Sequence, residues 1–525
     1  MNKNRNVIIL SIINVFRSFL LVGQALISKL LIDEAIIAIN SKEHNLIFYV
    51  ILFSIFIVLN IVFAIVYFII KNKFSLEIEV NLKHKIYHAL LKKDINEAHL
   101  FHSGELSNIY LNDVNNIKNG TVEIIPSFCL YISRFVLALL ALIYLDPLLL
   151  GILLVLGVIA FVCSKVYSSM MKKSHKDALE SDGYINAYMQ ESFENIKIVK
   201  AYNAEENFSS SLKEKLKDNY QVKNRRNKIA LFGSGGLFVL MQLTSAFTLL
   251  YGSFAIAFLG LSYGSLLGLM QVVSYFESPL SMMSSLLSRL NAYKASVERV
   301  ESIYALKEDD NQIDIKDFVS LEFDNVSFSY DKVILSSLSL TLKKGETLLL
   351  KGPSGSGKST LFNLMLGFIK PNKGSIYVID NDNNKYPISL CRKLFSYVPQ
   401  ENILFSGSII DNVKLFAPSF KEDKLIDALK VACVYDEIME RKEGLNTLLI
   451  ERGGGLSLGQ IQRVLLAIAL LMNRPILLLD EFTSALDKDV ERKIVENISK
   501  LNTTKIIITH RDISVNNSSI LTLGD

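Results

Sequence analysis

Tryptophan is absent from this chain. A membrane-interface belt built on indole is therefore excluded, and the 21 tyrosines and 30 phenylalanines have to fill that role. The four cysteines, Cys129, Cys163, Cys391 and Cys433, stand far apart. They fit neither a disulfide framework nor a zinc-ligand spacing, and each reads as a small buried residue. Charge of one sign is also missing: 56 basic and 52 acidic residues leave a net charge of +4. With no lysine/arginine stripe interleaved with aromatics, nucleic acid is excluded as a partner. No short repeat or low-complexity tract interrupts the 525 residues, which are too many for one ordinary domain.

What the chain does have is apolar length. Half of its residues are hydrophobic and the mean hydropathy is +0.32. The apolar residues concentrate in six stretches at 7–36, 45–71, 124–145, 148–170, 229–260 and 265–288. Each is long enough to cross a hydrocarbon core of roughly 30 Å. The first follows Lys3 and Arg5 but runs far beyond a signal-peptide core without a small-residue cleavage site, so it reads as a retained helix. Short connections at 37–44, 146–147 and 261–264 hold Lys42 as their one basic residue, whereas 171–228 is dense in lysine and arginine. The positive-inside rule then puts both termini and the segments 72–123 and 171–228 in the cytoplasm. Those segments are too helix-like for plain loops, which implies membrane helices that continue into the cytoplasm. Polar residues inside the apolar stretches are Arg17, Gln24, Arg134, Gln242, Gln271 and Glu277. Each is a candidate for contact with a transported molecule, against the alternatives of an interhelical hydrogen bond or snorkelling. Arg17 and Gln24, seven apart, share a helix face.

After residue 288 the pattern changes. Asn291–Leu306 reads as an amphipathic helix, and 307–317 (KEDDNQIDIKD) as a charged linker. From 318 onward short strands appear and then alternate with helices, the pattern of a mainly parallel α/β domain. The expected division is 1–306 helical and membrane-spanning, 307–317 linker, and 318–525 an α/β P-loop nucleoside triphosphatase.

The strongest local signal is Gly352-Pro353-Ser354-Gly355-Ser356-Gly357-Lys358-Ser359, followed by Thr360. It fits G-x-x-x-x-G-K-[ST], with an apolar strand before it and a helix after it. Glycines let backbone N–H groups curl around phosphate oxygens, and the following helix adds its positive end. Lys358 is then expected on the β- and γ-phosphates of ATP and Ser359 on Mg²⁺. A second element is RPILLLDEF, in which an apolar strand ends in Asp480 and Glu481. Open α/β sheets bind ligands at that strand edge. Asp480 suits Mg²⁺ coordination and Glu481 suits polarisation of an attacking water.

With these motifs in this order, the chain resembles ATP-binding-cassette transporters of the exporter type, over nearly its whole length. The resemblance implies a six-helix all-α membrane domain fused to the ATPase domain. It implies Tyr330 (in VSFSY) as the ring that stacks on adenine, and Gln400 (in YVPQENILFSG) as the residue that senses Mg²⁺ and water. It also implies His510 (in IIITHRD) as a γ-phosphate partner, Glu451-Arg452-Gly453 as a loop touching cytoplasmic helix ends, and Ser484–Asp487 as the loop facing an opposing subunit. Leu456-Ser457-Leu458-Gly459-Gln460 matches the family signature, which contacts ATP held by the other subunit. Catalysis would thus rest on Glu481, His510 and Gln400, and Mg²⁺ on Ser359, Gln400 and Asp480. Looser matches are 101–117 (after the first coupling helix), 30–36 (outer end of the first helix) and Pro279 (in the sixth).

One chain cannot complete such a site, so the resemblance implies a second half-transporter, identical or different, in a lipid bilayer. It implies a multi-pass protein of a bacterial cytoplasmic membrane; the Lys/Asn/Ile-rich usage points the same way. The expected function is ATP-driven export of a peptide, lipid or hydrophobic small molecule. An importer on the same fold, or a sensor subunit that binds ATP without needing turnover, are the competing readings. No peptidase-like segment precedes the first helix, which counts against leader cleavage by this chain. The chain also stops soon after SSILTLGD, short of the family's usual end. Three departures stand out: Leu458 replaces a common glycine, and Ile461 and Ile468 stand where arginines are common. In a homodimer both sites would carry the altered loop; in a heterodimer it would serve the partner's weaker site.

Overall fold

The computed structural model describes residues 3–40, 45–98, 101, 103–310, 312–315, 317–401, 403–450, 453–511 and 518–523, apart from the side chains of a few helical residues. The chain forms two compact units. One comprises Met1–Leu91 and His102–Ala305, and the other Lys92–Phe101 and Leu306–Asp525.

The first unit is all helical. Its long helices are Lys3–Asn40, Leu46–Leu91, Pro147–Glu194, Glu205–Phe258 and Tyr263–Ala305. A sixth run, Ser103–Leu145, is helical throughout but widens to π-helical turns at Ile109–Asp113 and Gly120–Ile124. Helices of 46 to 54 residues exceed what a bilayer needs, so the polar ends at 72–91, 171–194 and 205–228 extend the same helices, as the sequence implies. Among the described residues four helices are long and apolar enough to cross a membrane: Asn4–Ile39, Leu46–Leu91, Gly104–Leu145 and Glu205–Phe258. The helix from Pro147 is apolar over Pro147–Ile159. Tyr263–Ala305, which continues unbroken through Pro279 and the amphipathic stretch 291–305, falls below that hydropathy because serines, Gln271 and Glu277 dilute it.

Ends and bends have identifiable causes. Asp146 caps the helix beginning at Pro147 by accepting from Leu148 N and Leu149 N. Asp33, in LLIDEAI, accepts from Gly264 N at 3.0 Å and from Ser262 Oγ at 2.9 Å, which fixes the start of Tyr263–Ala305. Each π turn carries a carboxylate that pairs with that same helix. Asp113, 1% exposed, accepts from Arg299 Nε at 2.8 Å and from Ser296 Oγ at 2.7 Å. Glu123 pairs with Arg289 at 2.7 Å and with Lys71 at 2.6 Å.

In the second unit eleven strands can be followed: β1 Ser320–Ser329, β2 Val333–Lys343, β3 Thr347–Lys351, β4 Lys373–Ile379, β5 Lys385–Pro387, β6 Phe395–Val398, β7 Gly407–Ser408, β8 Leu448–Leu449, β9 Ile476–Asp480, β10 Thr504–Ile508 and β11 Ser518–Thr522. The main sheet is parallel, in the order β11-β3-β10-β9-β6. An antiparallel sheet, β2-β1-β4-β5, lies beside it, and β7 pairs with β8. Every residue of β9 and β10 is buried, as a parallel sheet covered on both faces requires. Alternation sorts them. Leu349, Leu477, Leu479 and Ile507 join the core beneath the helices Glu422–Val431 and Leu458–Leu471. Leu348, Leu350, Ile476, Leu478, Ile506 and Ile508 join the opposite core with the antiparallel sheet and the helix Lys358–Met365.

Residues 92–101 belong to this unit through their own bonds. Asp94 N donates to Lys307 O and Asp309 N to Lys92 O. Lys93 Nζ donates to Leu306 O at 2.7 Å and Asn96 Nδ2 to Phe368 O at 2.7 Å.

Removing one partner of a buried ion pair strands the other. Asp113→Ala is expected to destabilise the helical unit by about 2 kcal/mol, below the range for fully buried pairs because Arg299 is half exposed. Asp113→Asn should recover part of it. Thermal unfolding of the purified protein in detergent measures both, and an unchanged midpoint for Asp113→Ala would refute the assignment.

Candidate nucleotide site

The parallel sheet gathers the site at its carboxyl edge. Four neighbouring strands end there: β3 leads into 352–359, β9 into Asp480 and Glu481, β10 toward His510, and β6 toward Gln400. The register pairs Ile508 with Asp480 and Val398 with Leu479, so residues distant in sequence leave the sheet at one level.

The loop after β3 is shaped by backbone that only glycine tolerates. Gly357 has φ +93°, and a Cβ there would sit 2.5 Å from Ile334 Cγ2. The helix Lys358–Met365 starts immediately afterwards. The buried Lys358 turns back, its Nζ donating to Gly352 O and Pro353 O at 2.8 Å each. Ser356 Oγ is buried and has no hydrogen-bond partner. A buried orphan hydroxyl inside a ring of backbone N–H groups fits a phosphate oxygen. Ser354, Gly355 and Ser359 are exposed and Pro353 and Thr360 flank them. Tyr330, 61% exposed, stands at the tip of the β1–β2 hairpin, edge-on to Phe328 at 4.8 Å. Ile334 of the same hairpin is the residue against Gly357. An exposed ring above the phosphate loop is available for a base to stack on.

Asp480 and Glu481 are adjacent but do different things. Asp480 is 3% exposed, and burial, then the neighbouring Glu481 charge, pushes its carboxyl up to about 6, with Lys358 acting in the opposite direction. Glu481 takes φ +47°, which turns its side chain off the strand line. Its Oε2 accepts from Gln400 Nε2 at 3.1 Å, and its Oε1 lies 3.1 Å from His510 Nε2. The structure therefore brings together Lys358, Asp480, Glu481, Gln400 and His510. Hydroxyl, carboxylate and amide oxygens at Ser359, Asp480 and Gln400 are hard donors of the kind Mg²⁺ takes.

The signature residues sit elsewhere on the unit. Ser457 caps the helix Leu458–Leu471: its Oγ accepts from Gln460 N, while Gln460 Oε1 accepts from Ser457 N at 3.0 Å, a capping box. Leu456 packs on the core and Leu458 is 56% exposed. Gly459 is required by closeness, since a Cβ would lie 2.9 Å from Ala485 O. Ile461 and Ile468, at 5% and 4% exposure, are core residues of this helix, so arginines there would bury charge. Asp487 precedes the helix Lys488–Ser499 and is exposed. Glu451 and Arg452 lie outside the described residues; Gly453 is buried beside Ile461.

Two residues that the sequence reading passed over tie these parts together. Gln462, 1% exposed, donates to Ser484 Oγ at 2.9 Å and to Glu481 O at 3.4 Å, and accepts from Ala485 N. Arg511 donates to Ser484 O, to Leu486 O and to Glu491, the last at 2.6 Å. Glu491 in turn accepts from Thr483. Their signal was adjacency to motifs already found. Arg511→Ala should lower ATP turnover about tenfold by freeing the 484–487 loop, and Arg511→Lys should not restore it, because one ammonium cannot span the three acceptors. Steady-state ATPase kinetics measure this; parent-like turnover in Arg511→Ala would remove the assignment.

Comparison with known proteins gives the family of the chain. The family "ABC transporter transmembrane region" matches residues 7–280 and the family "ABC transporter" matches residues 335–484. An ATP-dependent lipid A-core flippase of Colwellia psychrerythraea is 31% identical over 77% of this chain and 70% of its own length. An alpha-hemolysin translocation ATP-binding protein of Escherichia coli O157:H7 is 34% identical over 57% of this chain and 44% of its own length. The chain spans about half the length of several curated relatives that it matches, between 44% and 58%. In fold it is similar to an ATP-bound bacterial Atm1-family exporter, with a TM-score of 0.82 at 21% identity, covering 99% of this chain and 93% of that one. The chain belongs to the ABC transporters, in the exporter-type arrangement that joins a membrane region and an ATP-binding region in one polypeptide.

Proposed function

We propose that this protein is an ATP-driven exporter in which hydrolysis at paired ATPase domains drives alternating access of the membrane helices. The observation that carries the reading is the meeting of Gln400 and His510 on the two carboxylate oxygens of Glu481, next to Lys358 and Asp480. A site for binding alone would not need an oriented carboxylate there. The ATPase domain is 318–525, the linker 307–317 and the membrane domain 1–306, apart from 92–101, which pack with the ATPase unit, with six crossings and both termini on the cytoplasmic side of a bacterial cell membrane.

The residues divide the work. Backbone N–H groups of 352–357, the hydroxyl of Ser356 and the ammonium of Lys358 hold the phosphates of ATP, and Tyr330 stacks on the base. Ser359, Gln400 and Asp480 hold Mg²⁺, which when bound neutralises charge on the β- and γ-phosphate oxygens. Glu481 orients and polarises the attacking water, Gln400 and His510 keep its carboxylate in position, and His510 also reaches the γ-phosphate. The Ser457 hydroxyl and Gly459 N–H of one copy serve the ATP of the other, with Asp487 near the same junction. The functional unit is therefore a dimer in a lipid bilayer, with an identical or a different second half-transporter.

Glu481→Gln should keep ATP binding and lower turnover by about 10²-fold or more, whereas Lys358→Ala should lose binding itself. ATPase rates and fluorescent-nucleotide binding, both in proteoliposomes, separate the two. Equal ATPase rates for the parent and Glu481→Gln would sink the enzymatic reading in favour of a sensor. Weak ATPase from the purified chain that rises on adding another half-transporter would point to a heterodimer.

A further inference from the structure

Two arginines lie inside the membrane-spanning part of the helical unit, and among the described residues neither has an anionic partner. Arg17 is on Lys3–Asn40 and Arg134 on Ile125–Leu145. The guanidinium carbon of Arg17 lies 5.8 Å from the ring centre of Tyr67, and that of Arg134 lies 5.6 Å from the ring centre of Tyr275. The two helices meet one residue from each arginine, where Ser133 Oγ lies 2.9 Å from Ser18 Oγ. Among the described residues, neither forms a hydrogen bond or an ion pair, and the Nε atom of each is buried without a partner. Their terminal nitrogens are not among the buried atoms, so the forks open onto accessible space.

Depth rules out snorkelling for Arg134, which stands ten residues inside one end of the apolar stretch 124–145 and eleven from the other, about 15 Å from either at 1.5 Å per residue. Arg17 reaches a shallower level, where its guanidinium meets Tyr67, four residues from Lys71 at the end of the second apolar stretch. The tyrosine faces offset part of the cost of burying charge. A ring face, however, leaves the five N–H donors of each guanidinium free along its edges. In this seam Ser133 Oγ donates to Ser18 Oγ at 2.9 Å, Ser18 Oγ to the carbonyls of Asn14 and Leu130, and Asn14 Nδ2 to Pro126 O at 3.0 Å, while Asn14 Oδ1 is a further buried atom without a partner. Elsewhere among the candidate polar residues, Gln271 accepts from Ser28. The arginines are the unsatisfied cations of the seam.

We propose that Arg17 and Arg134 form a site within the membrane-spanning helices for an anionic group, a phosphate or a carboxylate, on the molecule that this protein moves. Two forks on adjoining helices suit bidentate pairing with such an oxyanion, and low polarity around them strengthens it. The proposal rests on the transporter reading for its biological meaning, but binding can be measured with no nucleotide present, so the two fail separately.

The test uses the full chain in zwitterionic nanodiscs, with dodecyl phosphate, dodecanol, dodecyltrimethylammonium and inorganic phosphate as probes, read by calorimetry and thermal shift. Dodecyl phosphate is expected to bind and the neutral and cationic analogues are not; Arg17→Gln and Arg134→Gln should each weaken it about tenfold or more. Binding of inorganic phosphate at similar strength would support the site with a free anion as its source, and its failure to bind would support an amphiphile. Retained fluorescent-nucleotide binding shows that the variants are folded. Equal binding of dodecanol and dodecyl phosphate by the parent protein would overturn the proposal without recourse to any variant. Parent-like affinity in both folded variants would overturn it too.

Discussion

The nucleotide end of this protein depends on how β9 stops. Five buried residues carry the chain to the sheet edge, and the last of them is a carboxylate. The next residue, Glu481, turns into a left-handed backbone conformation that side chains adopt at a cost of about 1 kcal/mol or more. The two carboxylates stay close enough for the Glu481 charge to raise the Asp480 carboxyl, but the turn gives them different partners. Asp480 stays buried near Lys358, whereas Glu481 swings to meet Gln400 and His510. The parallel register of β6, β9, β10 and β3 then decides which loops can reach the pair. A slip of one residue in any of them would exchange the residues facing the two cores and remove a site residue from the edge.

Buried polar contacts extend this arrangement outward. Gln462 lies on the signature helix yet bonds the Glu481 carbonyl and the loop at 484–485. Arg511, next to His510, bonds the same loop from the other side. The signature helix and the loop at 484–485 are thus wired to the strand end that carries Glu481. Gly459 belongs to the same junction, since its missing side chain is what allows Ala485 to approach. Leu458 points outward, so its effect belongs to whatever faces that surface.

Much of this was legible in the sequence, and the reason differs by element. The loop at 352–359 and the strand ending in Asp480 are local patterns whose chemistry depends on adjacent residues. Gln400 and His510 were legible only through the order of motifs in a resemblance, because their meeting with Glu481 spans 81 residues and a strand register in one case. Gln462 and Arg511 were missed because a buried glutamine and an arginine have no spacing signature. Ile461 and Ile468 looked like losses of arginine, but both fill the core beneath the sheet. Hydropathy located the long helices, Tyr263–Ala305 included through its stretch 265–288, although serines dilute that helix. The π turns at 109–113 and 120–124 left no periodic trace, and the allegiance of 92–101 to the ATPase unit is set by hydrogen bonds to residues more than 200 positions away. In the membrane part, polar residues were visible one by one, but only packing distinguishes the paired Gln271 from the unpaired arginines.

The central claim is that Glu481 acts because Gln400 and His510 orient it. Single-turnover hydrolysis of bound ATP tests this most directly, because it isolates the chemical step from transport and product release. The account predicts that Gln400→Ala and His510→Ala still bind ATP but hydrolyse the bound nucleotide about 10²-fold more slowly. Single-turnover rates equal to the parent's in both variants would contradict it.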